Sequence, residues 1–256
     1  MPPIVTLTTD FGLSDHYAGT MKGVILSLCP KAQLVDISHL VQPYAISAGA
    51  YTIAQAYRYF PAGTVHVVVV DPGVGSERRP ILAEAAGQYF IAPDNGVLSM
   101  VLAREKHKVR VIANSRYMLS SVSRTFHGRD VFAPVAGHLA AGVSSAKFGK
   151  RVNDWVRPEF LEPSEGDPGV WDGHVLAVDH FGNVITNFEA VKFPKFTHVE
   201  IAQAKVKRTA ETYAEAPEDR LFAIVGSAGY WELSMQQASA ATKLRCASGD
   251  ACRLIV

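Results

Sequence analysis

Residues 65–70, VHVVVV, constrain the fold more than any other stretch of the chain. Such a β-branched run is typical of a strand buried on both faces, the usual state of a central parallel strand. The run ends at Asp71-Pro72-Gly73, and the arginines Arg78 and Arg79 follow in the same loop. A carboxylate at the end of a buried strand, with glycines and arginines after it, is typical of an α/β active site. The alternative is a strand-end turn with a surface salt bridge.

Composition narrows the class of protein. The chain has 256 residues, a length that is enough for one large domain or two small ones. Of these residues 48% are hydrophobic, and the net charge is +1. This charge gives no reason to expect nucleic acid or an anionic membrane as a partner. No signal peptide or membrane span is visible. Three cysteines without a CxxC motif predict a reduced, cytoplasmic protein without structural zinc.

Strand and helix patterns alternate over residues 1–156, which predicts an α/β domain with a mostly parallel sheet and helices on both faces. Besides the valine run, strands are predicted at residues 4–9, 33–37, 89–92 and 109–113. Apolar residues at helical spacing predict helices over residues 17–28, 46–60, 97–105 and 132–139. Asp15 fits the N-cap of the first of these helices.

The pattern changes after residue 156. Residues 157–169, RPEFLEPSEGDPG, are rich in Pro, Glu and Gly and are predicted to be a linker. Residues 170–256 are predicted to form a small antiparallel β-barrel-like domain, with a hairpin turn at residues 226–229. Its candidate strands are residues 174–178, 183–188, 199–205, 221–225, 230–234 and 253–256.

Acidic residues recur just past predicted strand ends, at Asp10, Asp71 and Asp94. Because the carboxyl ends of parallel strands share one edge of a sheet, these side chains are expected to converge on one crevice. Capping of helices and turns is the alternative for each. His127 stands beside a glycine just before a predicted helix, where it either faces a ligand or is structural.

The segment from Asp179 to Asn183 combines a carboxylate, an aromatic ring and an amide beside a glycine. Asn183 can donate and accept hydrogen bonds, which suits an adenine edge, and Phe181 can stack on the base. An ordinary β-turn is the alternative. No metal-ligand motif, GxGxxG or P-loop is present, so neither a metal nor a dinucleotide cofactor is predicted.

Five motifs occur in order along the chain: TTDFG (8–12), DPGVG (71–75), APDNG (92–96), TFHGRD (125–130) and FGN (181–183). Together they resemble those of the S-adenosyl-L-methionine (SAM) hydrolases, also called SAM hydroxide adenosyltransferases, which are relatives of the adenosyl fluoride and chloride synthases. The resemblance implies hydrolysis of SAM to adenosine and L-methionine, with no cofactor. It also implies a homotrimer, with each ligand between the N-terminal domain of one subunit and the C-terminal domain of the next.

The resemblance assigns a role to each matching residue. It implies a catalytic set of Asp71, Arg78 and His127, a set that the halogenating relatives lack. It implies substrate contacts from Asp10 to the ribose, from Asp15 and Asp179 to the methionine ammonium, from Ser227 to the carboxylate, and from Phe181 and Asn183 to adenine. Two further substrate-binding positions depart from the fluorinating enzyme, with Tyr44 in place of tryptophan and Ala228 in place of arginine. At Ala228 only the backbone is left to contact the carboxylate.

Two other functions remain open at this point. A halide-using adenosyltransferase is disfavoured by Asp71 and His127, since the fluorinating enzyme has tyrosine in place of Asp71. A non-catalytic protein that binds SAM or adenosine would need the same binding residues. The sequence also leaves open whether Asp71 or His127 accepts the proton of the attacking water.

Overall fold

The computed structural model describes residues 2–216 and 218–256. The chain divides into two compact units, the first ending at Pro158 and the second spanning Glu159–Val256. The predicted linker, residues 157–169, contains a 3-10 turn at Glu159–Leu161 and the strand β8 (Ser164–Glu165). Its role as a linker stays a prediction.

The first unit is built on a seven-stranded sheet with the order β2-β1-β3-β5-β4-β6-β7. Its strands are β1 (Ile4–Thr9), β2 (Gln33–Ser38), β3 (Val65–Val69), β4 (Pro80–Ala85), β5 (Gln88–Pro93), β6 (His107–Val111) and β7 (Arg151–Val152). Its helices are α1 (Tyr17–Leu28), α2 (Ile46–Ala56), α3 (Ser99–Arg104) and α4 (Ala133–Ala140), with a π-helical turn at Gly128–Phe132 before α4.

The prediction of a mostly parallel sheet is confirmed only in part. The pairs β2–β1, β1–β3 and β3–β5 are parallel, whereas β5–β4, β4–β6 and β6–β7 are antiparallel. The difference arises at β4, which the sequence analysis did not predict. β4 forms a hairpin with β5 through Ala86 and Gly87, both with positive φ, as a two-residue hairpin turn requires.

The valine run forms the centre of this sheet, as predicted. All five residues of β3 are buried, and its neighbours β1 and β5 are both parallel to it. Val67 and Val69 belong to an apolar cluster with Met21 of α1 and Val135 of α4. Val70 contacts Gly49 of α2, so helices cover both faces. The predicted cap at Asp15 is wrong, because α1 begins at Tyr17 with His16 in the cap position and no capping side chain.

The second unit is an antiparallel, nearly closed, barrel-like sheet, as predicted. Its main strand order is β12-β11-β15-β9-β10-β14-β13, and Thr209, just after β12, bridges back to Ala223 of β13. The strands are β9 (Val170–Val178), β10 (Val184–Glu189), β11 (His198–Ile201), β12 (Ala204–Val206), β13 (Phe222–Val225), β14 (Tyr230–Ser234) and β15 (Ala251–Ile255). The single strand predicted at residues 199–205 is a hairpin instead, and the short helix α5 (Ala240–Leu244) was not predicted.

Within residues 2–216 and 218–256, no helix has both the length and the apolar character that a membrane span requires.

A buried polar network interrupts the apolar core of the first unit. His66, on β3, has no exposed surface; its Nδ1 lies 2.7 Å from the Thr6 hydroxyl and its Nε2 lies 3.1 Å from Oε1 of Gln88. The Gln88 amide nitrogen donates to backbone carbonyls, so Oε1 accepts from His66 Nε2–H, and Nδ1 accepts from Thr6. Burial lowers the pKa of His66 to about 4. The imidazole is therefore a neutral structural group.

This network predicts a pH dependence of stability. The unfolded chain binds a proton at His66 below its ordinary pKa of about 6.5, whereas the folded chain does not until about pH 4. The free energy of unfolding should therefore fall by about 3 kcal/mol between pH 7 and pH 4 through this group. Urea titrations at several pH values give the slope of the unfolding free energy against pH, which should be smaller in His66→Gln than in the parent. His180→Gln, in an exposed turn, should retain the slope of the parent. Equal slopes in the parent and His66→Gln would contradict the assignment.

Candidate active site

A cavity of about 620 Å³ lies at the carboxyl ends of β1 and β3. Asp10 directly follows β1, and Asp71 follows the valine run, so two of the three predicted strand-end carboxylates line this cavity. Tyr44 and His127 line it as well. The prediction that strand-end carboxylates converge at this edge of the sheet is confirmed for Asp10 and Asp71.

Asp71, Arg78 and His127 form one hydrogen-bonded network. Arg78 Nε donates to Asp71 Oδ1 at 3.0 Å, and Nη2 makes a short ion pair with Oδ2. The same Nη2 lies 2.8 Å from Nδ1 of His127. The side chains of Arg78 and Asp71 are only 8% and 5% exposed. The guanidinium also packs over the ring of Phe132, and its Nη1 has no hydrogen-bond partner in the described part of the chain.

The network fixes the protonation of His127. A guanidinium can only donate, so Nδ1 of His127 accepts from Arg78, and the neutral ring carries its proton on Nε2. Burial and then the positive charge of Arg78 lower the pKa of His127 below its ordinary value, although Asp71 opposes this effect. The imidazole is therefore neutral at physiological pH, with its Nδ1 lone pair committed to Arg78.

A glycine permits the two loops of this network to meet. Gly75, in the loop after β3, has a φ of +81°, and a Cβ there would overlap the carbonyl oxygen of Arg124. Arg124 lies three residues before His127 in the chain. Only glycine therefore lets the loop that carries Asp71 approach the segment that carries His127.

Aromatic rings form one wall of the cavity. Phe126 meets Tyr17 and Phe11 edge-on, with ring centroids 5.0 and 6.0 Å apart. Gly128 lies against this wall, where a Cβ would come within 3.2 Å of the Phe126 ring. Such a surface suits an apolar or aromatic part of a ligand.

Asp10 and Asp71 are two carboxylates of like charge that line the same cavity. Its Oδ2 accepts a 2.8 Å hydrogen bond from the backbone N–H of Tyr44. Burial raises the pKa of Asp10, and the charge of Asp71 adds to this effect, whereas the Tyr44 N–H lowers it. Tyr44 itself has a φ of +67° and a side chain that is 74% exposed. The hydrogen bond to Asp10 thus helps to hold Tyr44 in this left-handed backbone conformation.

Asp94, the third strand-end carboxylate, does not line the cavity, so that expectation is wrong. It is 5% exposed and accepts hydrogen bonds from Arg79 and from the backbone N–H of Val156. Arg79 also bonds Asp154, so this pair holds the last segment of the first unit. Asp94 is thus a structural carboxylate, but it holds Arg79 and the Val156 N–H and does not cap a helix or turn, which was the alternative for these residues.

Asp15 is the remaining residue of the first unit that is expected to bind substrate. Asp15 is exposed next to His16, which lines the cavity; the carboxylate of Asp15 lies 3.5 Å from the Ser14 hydroxyl. Its side chain is thus free of any strong partner in the described chain. Nothing in this placement tests its expected role.

The other expected substrate contacts lie in the second unit. Asp179 closes the turn between β9 and β10, accepting from the backbone N–H groups of Phe181 and Asn183 and from the Asn183 amide at 2.8 Å. Phe181 is 76% exposed, and Asn183 is buried. Ser227 and Ala228 lie in the turn between β13 and β14, which was predicted as a hairpin turn.

One acidic residue beside these turns escaped the sequence analysis. Glu232, on β14, is 7% exposed and packs against Gly226, where any Cβ would overlap its carboxylate. Burial raises its pKa, and the charge of Asp179 adds to this effect. The Tyr213 hydroxyl donates to it at 3.4 Å. A glutamate within an apolar strand pattern was the available signal.

The fold and this cavity define an α/β protein that binds a small molecule at the carboxyl edge of its sheet. Within the described residues, no group of three or more His, Cys, Asp or Glu side chains is arranged to hold a metal ion. Residues 5–149 match the SAM hydroxide adenosyltransferase N-terminal domain, and residues 173–253 match the C-terminal domain of that family. The chain therefore belongs to the SAM hydroxide adenosyltransferase family, as its five motifs predicted.

Individual relatives agree with this assignment. The chain is 36% identical to an (R)-S-adenosyl-L-methionine hydrolase of Salinispora arenicola, over 98% of this chain and 97% of the relative. A fluorinase of Nocardia brasiliensis is 30% identical over 93% of this chain and 92% of its own length. The solved structure of an uncharacterized conserved protein from Thermotoga maritima superposes with a TM-score of 0.85 at 34% identity, over 99% of this chain and 100% of that one.

The shared guanidinium predicts how His127 titrates. Replacing Arg78 with Met removes the positive charge and the N–H that occupies Nδ1, so the pKa of His127 should rise from its lowered value, although burial still lowers it. An NMR titration of the ring protons measures it. Arg79→Met removes the neighbouring arginine, which bonds Asp94 and Asp154 instead, and should leave the His127 titration unchanged. An unmoved His127 pKa in Arg78→Met would refute the assigned coupling.

Proposed function

We propose that this protein hydrolyses SAM, with water attacking C5′ of the ribose to give adenosine and L-methionine. The observation that carries the proposal is the Asp71–Arg78–His127 network in the cavity that also holds Asp10. The similarity to the Salinispora arenicola SAM hydrolase over nearly the whole chain supports the same reaction.

The reaction is a substitution at carbon in which the leaving group needs no activation, because the sulfonium departs as a neutral thioether. The water oxygen forms a bond to C5′ as the C5′–S bond breaks, and the bond electrons neutralise the sulfonium to give the thioether of methionine. The water must also lose a proton to a base. The enzyme therefore has to place one water in line with the C–S bond and accept its proton.

Asp71 is the better candidate for that base. The Nδ1 lone pair of His127 already accepts from Arg78, and its other nitrogen carries the ring proton. Each Asp71 oxygen accepts from Arg78 but keeps a second lone pair. We therefore assign proton acceptance to Asp71, and orientation of the network to Arg78 and His127. A fixed guanidinium also stabilises the hydroxide character of the attacking oxygen.

The substrate loses its positive charge during the reaction, so carboxylates close to sulfur would favour the ground state over the transition state. Asp10 serves the reaction best by holding the ribose hydroxyls, for which its Tyr44-bound carboxylate is available. Asp15 and Asp179 are assigned to the distant ammonium group. Phe181 and Asn183 are assigned to adenine, and Ser227 with the backbone of Ala228 to the carboxylate.

Water suits this cavity better than a halide as the nucleophile. An anion entering beside Asp71 would meet a buried carboxylate, and the charge of Arg78 is already paired with that carboxylate. A neutral water meets no such repulsion and finds a proton acceptor. A protein that only binds SAM is disfavoured for a different reason. Burying the charges of Asp71 and Arg78 is costly, and binding alone does not require this buried pair.

We further propose that the enzyme acts in the cytoplasm without metal or cofactor. The reaction needs no Lewis acid to activate its leaving group, because the sulfonium is already charged. Three cysteines without a disulfide, two of them buried, suit a reducing compartment.

The active assembly is proposed to be a homotrimer in which each site joins the first unit of one subunit to the second unit of the next. Two features support this. No Asn or Gln is among the described residues that line the cavity of the first unit, and Tyr44 and Phe181 are 74% and 76% exposed in the single chain. Large exposed rings next to functional groups are typical of surfaces that another chain covers.

Hydrolysis is tested by incubating the purified protein with SAM in H₂¹⁸O, with and without chloride. One heavy oxygen should appear in the 5′-hydroxyl of adenosine, because water attacks C5′. Both sulfonium epimers are supplied, and the (R) epimer named for the Salinispora arenicola relative is expected to be consumed. Chromatography with mass spectrometry identifies the products. Chlorinated nucleoside would move the protein to the halogenating branch, and intact bound SAM would leave only binding.

Asp71→Asn completes this test. Turnover should fall by about 10²- to 10⁴-fold, the usual contribution of a positioned base, while calorimetry should find SAM affinity retained. Glu77→Gln, an exposed acid of the same loop, is the matched control and should keep full activity. Undiminished adenosine formation by Asp71→Asn would remove Asp71 from its assigned role.

The shared site predicts complementation between two inactive chains. Asp71→Asn spoils the first unit and Asn183→Ala the second. If sites lie between subunits, random assembly of the co-expressed chains should leave about one quarter of all sites intact. Activity should therefore recover on co-expression. Asp71→Asn with Arg78→Met, two defects of the same unit, should recover nothing. No recovery in the first pair, at a trimeric mass by light scattering, would place each site within one chain.

A further inference from the structure

A polar relay joins the ends of β1 and β2 beneath the loop that carries Asp10; Thr9 and His39 are its buried part, and Asp36 and Lys22 are its solvent-exposed end. The side chain of His39 is 1% exposed, and its Nδ1 lies 2.8 Å from the Thr9 hydroxyl. Its Nε2 lies 3.0 Å from Oδ1 of Asp36, an ion-pair distance without the angle of a well-formed hydrogen bond. Lys22 of α1 binds the other Asp36 oxygen at 2.6 Å. None of these four residues lines the cavity.

The chemistry of the groups gives the relay a direction. A carboxylate only accepts, so Nε2 of His39 carries a proton on the side of Asp36, and Nδ1 shares a hydrogen bond with the Thr9 hydroxyl. The Thr9 oxygen in turn accepts from the backbone N–H of Phe11 at 3.3 Å. The ring of His39 therefore orients a hydroxyl that holds the backbone on the far side of Asp10.

Backbone hydrogen bonds tie the same two segments together. Gly12 N–H donates to the His39 carbonyl at 2.7 Å, and Val41 N–H donates to the Thr9 carbonyl at 3.3 Å. Three residues after Val41, Tyr44 N–H reaches Oδ2 of Asp10. Both the backbone of Asp10 and the donor to its carboxylate are thus fixed by the segment that His39 anchors.

We propose that His39 is a positioning residue for Asp10 and so sets the affinity of the cavity for the ribose hydroxyls. The inference rests on the proposed function, which assigns the ribose to Asp10. The buried pair of His39 and Thr9 is costly for a structural corner that apolar side chains could fill. Correct aim of a carboxylate at two hydroxyls is a need that apolar packing does not meet.

The test compares binding of adenosine and of 2′,3′-dideoxyadenosine by calorimetry on the full chain. His39→Gln and Thr9→Val each remove the bond between His39 Nδ1 and Thr9, so adenosine should bind about tenfold more weakly while the dideoxy compound is unaffected. His39→Asn keeps a polar atom near the Nδ1 position and should restore most of the adenosine affinity. Thr9→Val preserves shape, so it folds even where a histidine variant does not.

Controls separate this inference from its premise. His107→Asn makes the same chemical change on β6, four strands from β1, and should change neither affinity. Equal weakening of both ligands, or no weakening, would overturn the role of His39. Asp10→Asn tests the premise: if it too leaves the ratio of the two affinities unchanged, the ribose assignment of Asp10 fails, and the His39 inference fails with it. Labelled-water hydrolysis tests the reaction itself, independently of both.

Discussion

The candidate site depends on one guanidinium that serves two partners. Arg78 binds both oxygens of Asp71 and also donates to Nδ1 of His127, although 49 residues separate the arginine from the histidine. In a nearly buried position, each of these ionisable groups is tolerated only because the others are present. The loop after β3 and the segment before α4 are therefore held together by charge as well as by packing. The orientation of the histidine and the availability of the carboxylate both follow from that arrangement.

Arg79, which directly follows Arg78 in the chain, binds a different set of partners. Arg78 and Arg79 lead directly into β4, where consecutive side chains point to opposite sides of the strand. One guanidinium therefore reaches Asp71 and His127, which line the cavity, and the next reaches Asp94 and the last segment of the first unit. An ion pair of the candidate site and a structural ion pair are thus built from adjacent residues. The hairpin of β4 and β5 fixes the direction of both, since β5 pairs with β3 on its other side.

Much of this arrangement could be predicted from the sequence, where the physical signal is local. The valine run identifies a strand that must be buried on both faces, and the position of Asp10 and Asp71 after parallel strands places them at one edge. Signals that depend on tertiary context were missed. The β4 segment, PILAEA, contains two alanines and a glutamate, which weaken a strand pattern that its neighbours β5 and β6 complete. Asp94 has the same local setting as Asp71 but lies beside Arg79 and Val156. Glu232 stands out in the sequence only as a glutamate within an apolar strand pattern, and its burial against Gly226 is seen only in the fold.

The shared guanidinium also limits how this site can evolve. Fluorinases are related to this chain, so halide and water chemistry have diverged on one fold. Losing Asp71 alone would leave a buried arginine without its counter-ion, and losing Arg78 alone would leave a buried carboxylate and an unsatisfied histidine. Each single substitution therefore passes through a destabilised intermediate, whereas the concerted loss of the whole set does not. Epistasis of this kind would keep the two branches of the family apart, because the route between them crosses a fitness valley set by electrostatics.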